Sequence, residues 1–193
     1  MKTLVIASGN AGKIRELEGL LKSFPVAGQP EPQGLDVEER GAAFAADAQR
    51  KALAVAKATG ETALAEDSGL SVDDLDGAPG VHSARYAPTD PERIARLLAA
   101  LNGSDRRAAH FCAALCIAAP DGRVLLEVEG RCDGRITESP RGDQGFGYDP
   151  IFEVAGTGRT FAEMALKEKK QHGHRGRAFT SLEPQLRQLL AGI

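Results

Sequence analysis

Tryptophan is missing from this chain, and aromatic residues make up only 5% of it, two Tyr and seven Phe. A protein that binds single strands on stacking platforms needs more rings than that. A basic excess is missing too: 24 Lys and Arg stand against 27 Asp and Glu, a formal charge of −3. Binders of nucleic acid or of anionic membranes carry the opposite balance, so neither partner is expected. Long apolar runs are also absent. The longest, Phe111 to Ala119, has about half the length that a membrane-spanning helix needs. The N-terminal apolar stretch is too short for a secretory signal. The three Cys, at 112, 116 and 132, are odd in number and too few for a disulfide framework. Cys112 and Cys116 read as buried reduced thiols, and the cytoplasm is the expected compartment.

What is present is a chain of 193 residues, 42% hydrophobic and 26% charged, which fits one globular α/β domain over 1–193. Lys2 to Ala7 reads as a buried first strand. Ile14, Leu17, Leu21 and Phe24 then mark one face of a helix that ends before Pro25. Residues 25–41, rich in Pro, Gly and acids, read as loop. An Ala-rich helix is expected from about Ala42 to Thr59, capped by Gly60. Two short strands, 62–66 and 70–72, are expected around an Asp67-Ser68-Gly69 turn. Thr89-Asp90-Pro91 opens a third helix. Ala108–Ala119 and Arg123–Arg131 read as strands joined at Pro120-Asp121-Gly122, with 135–137 extending the sheet. The last third alternates glycine-rich loops with helices expected at 161–171 and 181–190. Pro184 either kinks the latter or sits in its first turn behind a Ser181 cap.

Four segments carry chemistry. Ser8-Gly9-Asn10-Ala11-Gly12-Lys13 lies between a strand and a helix, where free N–H groups and the positive dipole end suit a phosphate. It is not a Walker motif, because Ala7 and Ile14 stand where Gly and Ser or Thr are needed. An ordinary Asn10 cap and a solvated Lys13 explain it equally well. Glu66-Asp67-Ser68-Gly69 follows an apolar strand, and its adjacent carboxylates can hold a hard cation that a triphosphate shares. Glu38-Glu39 can supply another ligand from a separate loop. Gly145-Phe146-Gly147-Tyr148-Asp149-Pro150 offers rings for stacking and an acid for a base N–H, although a tight turn over the core uses the same residues. Lys167 to Arg177 brings five Lys and Arg against one acid, which suits phosphate better than a metal.

In order and spacing these segments resemble the inosine-triphosphate pyrophosphatase family, the housekeeping XTP/dITP diphosphatases. The residues that carry the likeness run from Ser8 through Glu16-Leu17, and from Glu66 to Leu70 onward to Gly77–Gly80 and Ser83–Tyr86. They continue with Gly145 to Phe152 and with Glu168-Lys169 ahead of His174-Arg175-Gly176. The resemblance implies an α/β fold with a long twisted mixed sheet flanked by helices, two lobes around an active-site cleft, and a homodimer. It implies Mg²⁺-dependent hydrolysis of ITP, dITP and XTP to the monophosphate and pyrophosphate. Asp67 would be the general base and a metal ligand, with Glu38 as its metal partner and Glu66 a lesser contributor. Ser8, Gly9, Asn10, Ala11, Gly12 and Lys13 would hold phosphates, and Ser68 would touch substrate. Phe146, Gly147, Tyr148 and Asp149 would form the base pocket, completed by Lys169, His174 and Arg175. Gly173 departs from the Ser usual before His-Arg, which implies a looser loop and a lost hydroxyl contact.

The chemistry is coherent with these residues. A triphosphate carries about four negative charges, so cations must offset its repulsion of an attacking water. Two alternatives stay open: a pyrophosphatase acting on other modified triphosphates, and a nucleotide-binding module without turnover. Carboxylates at 38 and 67 favour an enzyme, since phosphate binding alone gains nothing from them. The near-neutral total also conceals segregation: residues 61–76 hold six acids and no Lys or Arg, opposite in sign to 167–177.

Overall fold

Leu4, Val5, Ile6 and Ala7 are all buried, as a strand covered on both faces requires. In the computed structural model, which describes residues 2–24, 26–30, 34 and 43–192, this run is β1, Lys2–Ala7. Helix α1, Ala11–Leu21, follows and buries Leu17, Leu20 and Leu21. The chain returns as β2, Val26–Pro30, paired parallel to β1. The loop expected over 25–41 is corrected at 26–30; of the rest of that stretch only Gly34 is among the described residues. Proline is tolerated on an edge strand, and β2 lies at the sheet's edge, so composition concealed the pairing.

Helix α2, Phe44–Thr59, buries Ala48, Ala52, Val55 and Ala56 and ends at a left-handed Gly60. It leads into β3, Thr62–Val72, which runs parallel to β1 with Ala65 opposite Ala7. This is the second correction. The Asp67-Ser68-Gly69 stretch is no turn but the middle of one strand of 11 residues. β3 has neighbours on both sides, and that pairing outweighs the local turn preference of Asp-Ser-Gly.

Helix α3, Asp90–Ala100, starts as expected, with a Thr89/Glu92 capping box and Pro91 in its first turn. Strands β4, Ala108–Ala118, and β5, Val124–Ile136, flank the expected turn, and Ala119 N–H donates to Arg123 O at its base. The short β6, Phe152–Val154, pairs antiparallel to β5. Helix α4 is Leu166–His172, and α5 is His174–Ala191 with Pro184 inside it. The final helix therefore begins seven residues before the expected Ser181 cap. Ser181 Oγ instead donates back to Arg177 O within the helix, at 3.5 Å.

The sheet order is β2-β1-β3-β4-β5-β6, mixed parallel and antiparallel, so the α/β class holds. The chain divides into two compact units. The first comprises Met1–Asp67, Ala113–Gly130 and Arg175–Ile193; its cores join Ile6, Leu17, Leu64, Ile117 and Leu182, and Val5, Ala52, Val55 and Cys116. The second comprises Ser68–Cys112 and Arg131–His174, around Leu70, Leu97, Phe111, Ile136, Phe152 and Phe161.

Candidate functional site

In the first unit the strand-to-helix junction forms as expected. Asn10 Oδ1 accepts the Lys13 N–H at 3.1 Å, an N-cap, while Ser8 Oγ accepts the Asn10 N–H at 3.1 Å. Ser8 is buried; Gly9, Asn10 and Ala11 are exposed, and Gly12 and Lys13 are half-buried. The Lys13 side chain reaches β3, with Nζ 3.1 Å from Glu66 Oε2. Glu66 is fully buried and also takes Arg175 Nη2 on its Oε1 at 3.0 Å. Arg175 Nη1 pairs with Glu16 Oε2. Burial works against the charge of Arg175, but the Glu66 and Glu16 carboxylates outweigh it and hold the guanidinium above its ordinary pKa. Lys13, expected on phosphate, and Arg175, expected to complete the base pocket, each meet carboxylates in this chain. Glu66, taken as a lesser metal contributor, serves as their counter-ion.

Asp67 follows Glu66 in β3, so the pleat turns the two carboxylates to opposite faces. It is 6% exposed. Among the described residues no three His, Cys, Asp or Glu side chains gather as a metal cage. Glu38 and Glu39 lie outside the described residues. Mg²⁺ keeps several waters and asks for one or two carboxylates beside substrate phosphates. A nearly buried Asp67 at the end of an apolar run meets that demand, so the donor set fits a hard divalent cation.

The second unit contains the other expected group. Asp149 Oδ2 accepts Lys169 Nζ at 2.6 Å and the Phe146 N–H at 3.0 Å. Both charged side chains are 5% exposed. The Lys169 ammonium stands 4.7 Å from the Phe146 ring centroid and 5.3 Å from that of Phe161. Gly145 has φ 74°, and a Cβ there would lie 2.0 Å from Asp149 Oδ2, so only glycine leaves room for that carboxylate. Tyr148 is buried, donates its hydroxyl to Ser83 O at 2.7 Å, and has its pKa raised by burial. It covers the core, as the turn reading held, while Phe146 and Gly147 stay half-buried. His174 stacks on Phe111, ring centroids 4.6 Å apart and 12° from parallel. Ser68, also in this unit, is half-buried on β3.

Gly173 has a packing reason. Its N–H donates to Lys169 O at 2.6 Å, and a Cβ would lie 2.6 Å from the same oxygen. The turn between α4 and α5 is close rather than loose. Residue reading missed the partners: Glu16 beneath Arg175, Ser83 and Asp90 behind the Phe146 loop, and the Phe111 and Phe161 rings. Glu16 sits three residues after Lys13, on the same helix face, which was a usable signal. Of the two thiols expected to be buried, Cys116 is, its pKa pushed up to about 12 mainly by desolvation, whereas Cys112 is half-buried.

A family model for the Ham1 family matches residues 4–185. A dITP/XTP pyrophosphatase of Parasynechococcus marenigrum (strain WH8102) is 70% identical over 191 residues, covering 99% of this chain and 98% of that protein. One from Synechococcus sp. (strain CC9311) is 64% identical, over 98% of this chain and 92% of its own. The solved structure of a HAM1 protein from Coxiella burnetii superposes with a TM-score of 0.86 at 40% identity, covering 97% of this chain and all of that one.

Proposed function

Because the chain belongs to the Ham1 family, we propose that it hydrolyses deaminated purine nucleoside triphosphates, ITP, dITP and XTP, to the monophosphate and pyrophosphate. The names of its relatives, dITP/XTP pyrophosphatase, supply the substrate class. One observation of this chain carries the base preference: the Lys169 Nζ to Asp149 Oδ2 pair, 2.6 Å apart beside the Phe146 ring. Hypoxanthine presents an acceptor at its six position and an N–H donor at its one position. A lysine donor and a carboxylate acceptor match that edge. Adenine presents the reverse order and would leave both groups unpaired or opposed, a difference worth several orders of magnitude.

On the phosphate side, the N-terminus of α1 and Lys13 receive the triphosphate, and Lys13 exchanges Glu66 for phosphate oxygens. Asp67 orients the attacking water and takes its proton as the bond between the α and β phosphates breaks and pyrophosphate leaves. Mg²⁺, held by Asp67 and Glu38, would offset the charge of the phosphates when bound. Ser68 contacts substrate beside Asp67, and His174 and Arg175 complete the pocket. The chain acts as one catalytic domain, since β3, β4 and β5 each contribute to both units. It works as a homodimer in the cytoplasm, and no described helix is long and apolar enough to cross a membrane.

The test is pyrophosphate release from ITP, XTP, dITP, GTP, ATP and dUTP, with Mg²⁺ and with EDTA. We expect turnover of ITP and XTP well above ATP, abolished by EDTA. Equal turnover of ATP would refute the base preference, and release of orthophosphate with IDP would refute the reaction.

A further inference from the structure

Two successive N–H groups of the Phe146–Asp149 loop end on carboxylates. The Phe146 N–H goes to Asp149, within the loop, at 3.0 Å. The Gly147 N–H goes to Asp90 Oδ2 at 2.9 Å, 57 residues away in sequence. Asp90 is the first residue of α3 and is fixed on its other oxygen, where Arg93 Nη1 stands 2.6 Å from Oδ1. Arg93 is fixed in turn, with Nε donating to Ala87 O at 2.9 Å. Helix α3 is itself anchored, with Leu97 fully buried and Ile94 and Leu98 packed against the unit's core. A carboxylate in a helix's first turn also meets the positive end of its dipole.

Gly147 is the point where such a tether matters most. It has φ 61°, and nothing lies within 4 Å of where a Cβ would be, so side-chain packing does not hold it. Its neighbour Tyr148 is pinned through its hydroxyl to Ser83 O. Phe146, the ring that faces the Lys169 ammonium, is on the other side of this pivot. With Gly147's N–H released, the Phe146–Gly147 peptide keeps the Asp149 N–H on its carbonyl, at 3.2 Å, but loses the tether to α3 that helps to set the Phe146 ring beside Lys169.

We infer that Asp90 is a positioning residue for base recognition, holding the Phe146 ring and the Lys169–Asp149 pair in register from outside the pocket. This rests on the reading of residues 146–149 as the base pocket. Asp90 touches neither the phosphates nor the water in that reading, so its loss should act on substrate binding and base choice, not on the chemical step.

The experiment compares wild type, Asp90→Ala, Asp90→Asn and Thr89→Ala in steady-state hydrolysis of ITP and ATP, with thermal melting of each. Asp90→Ala should raise KM for ITP about tenfold, the loss of one charge-assisted hydrogen bond, with kcat within about twofold. Asp90→Asn keeps an acceptor oxygen and should recover most of that loss. Thr89→Ala removes the helix cap without touching the loop, so it should lower the melting temperature and leave KM alone. If Asp90→Ala keeps the wild-type KM, or Thr89→Ala raises it equally, the inference is overturned. If Asp90→Ala does not fold, Asp90→Ser takes its place, since it keeps a residue suited to a helix start but shortens the acceptor that meets the Gly147 N–H: a KM about tenfold above wild type supports the tether, and a wild-type KM overturns it. Failure of the wild type itself to prefer ITP over ATP would instead overturn the base-pocket reading, and this inference with it.

Discussion

Glu66 and Asp67 are neighbours of one chemical type, and their surroundings give them opposite uses. Glu66 is fully buried between Lys13 and Arg175, its charge already matched. A carboxylate so engaged is a weak base and a poor metal ligand. Asp67 faces the other way along β3, which leaves it the proton acceptor of the proposed reaction. Asp67→Asn preserves shape and removes basicity. It should lower kcat for ITP by about a hundredfold or more with little change in melting temperature, read by initial rates and thermal unfolding. A near-wild-type rate would remove Asp67 from that role.

Among the elements, β3 and α5 differ most from what local sequence suggested. In β3 the adjacent acids and glycine imitate a turn, yet pairing along both edges keeps the strand straight through them. In α5 the apolar residues Ala178, Phe179, Leu182 and Leu186 lie on one buried face, and that continuity carries the helix through Pro184. Proline there removes a backbone donor, at a cost of up to about 3 kcal/mol in a helix interior. Pro184 is exposed, so nothing in the core depends on its ring. Pro184→Ala should therefore stabilise the protein, seen as a higher midpoint in urea with an unchanged slope. A lower midpoint would mean that the ring shapes α5 in a way packing does not reveal. The α3 start and the 120–122 turn were legible because a cap, a proline and a glycine act within a few residues of themselves.

Across the whole molecule, the near-neutral total of −3 includes buried internal pairs of opposite charge. Arg175 joins Glu66 across 109 residues of sequence, whereas Lys169 turns to Asp149 instead of the acidic stretch. Removing one member of a buried pair leaves the other charged and unmatched. Glu66→Gln should destabilise the fold by about 3 kcal/mol, measured by chemical denaturation, while a loss below a tenth of that would mean that solvent reaches the pair. The sequence by itself determined the class of fold, the buried first strand and most helices, because hydrophobic period and capping residues act locally, and it singled out the four segments on which the proposed function rests. Only the tertiary structure decided that β2 is a strand, that Glu66 pairs with Lys13 and Arg175, and that the Gly147 N–H meets Asp90. Each of those depends on which distant side chain or strand edge arrives within hydrogen-bond reach, and hydrogen bonds and ion pairs leave no periodic trace along the chain.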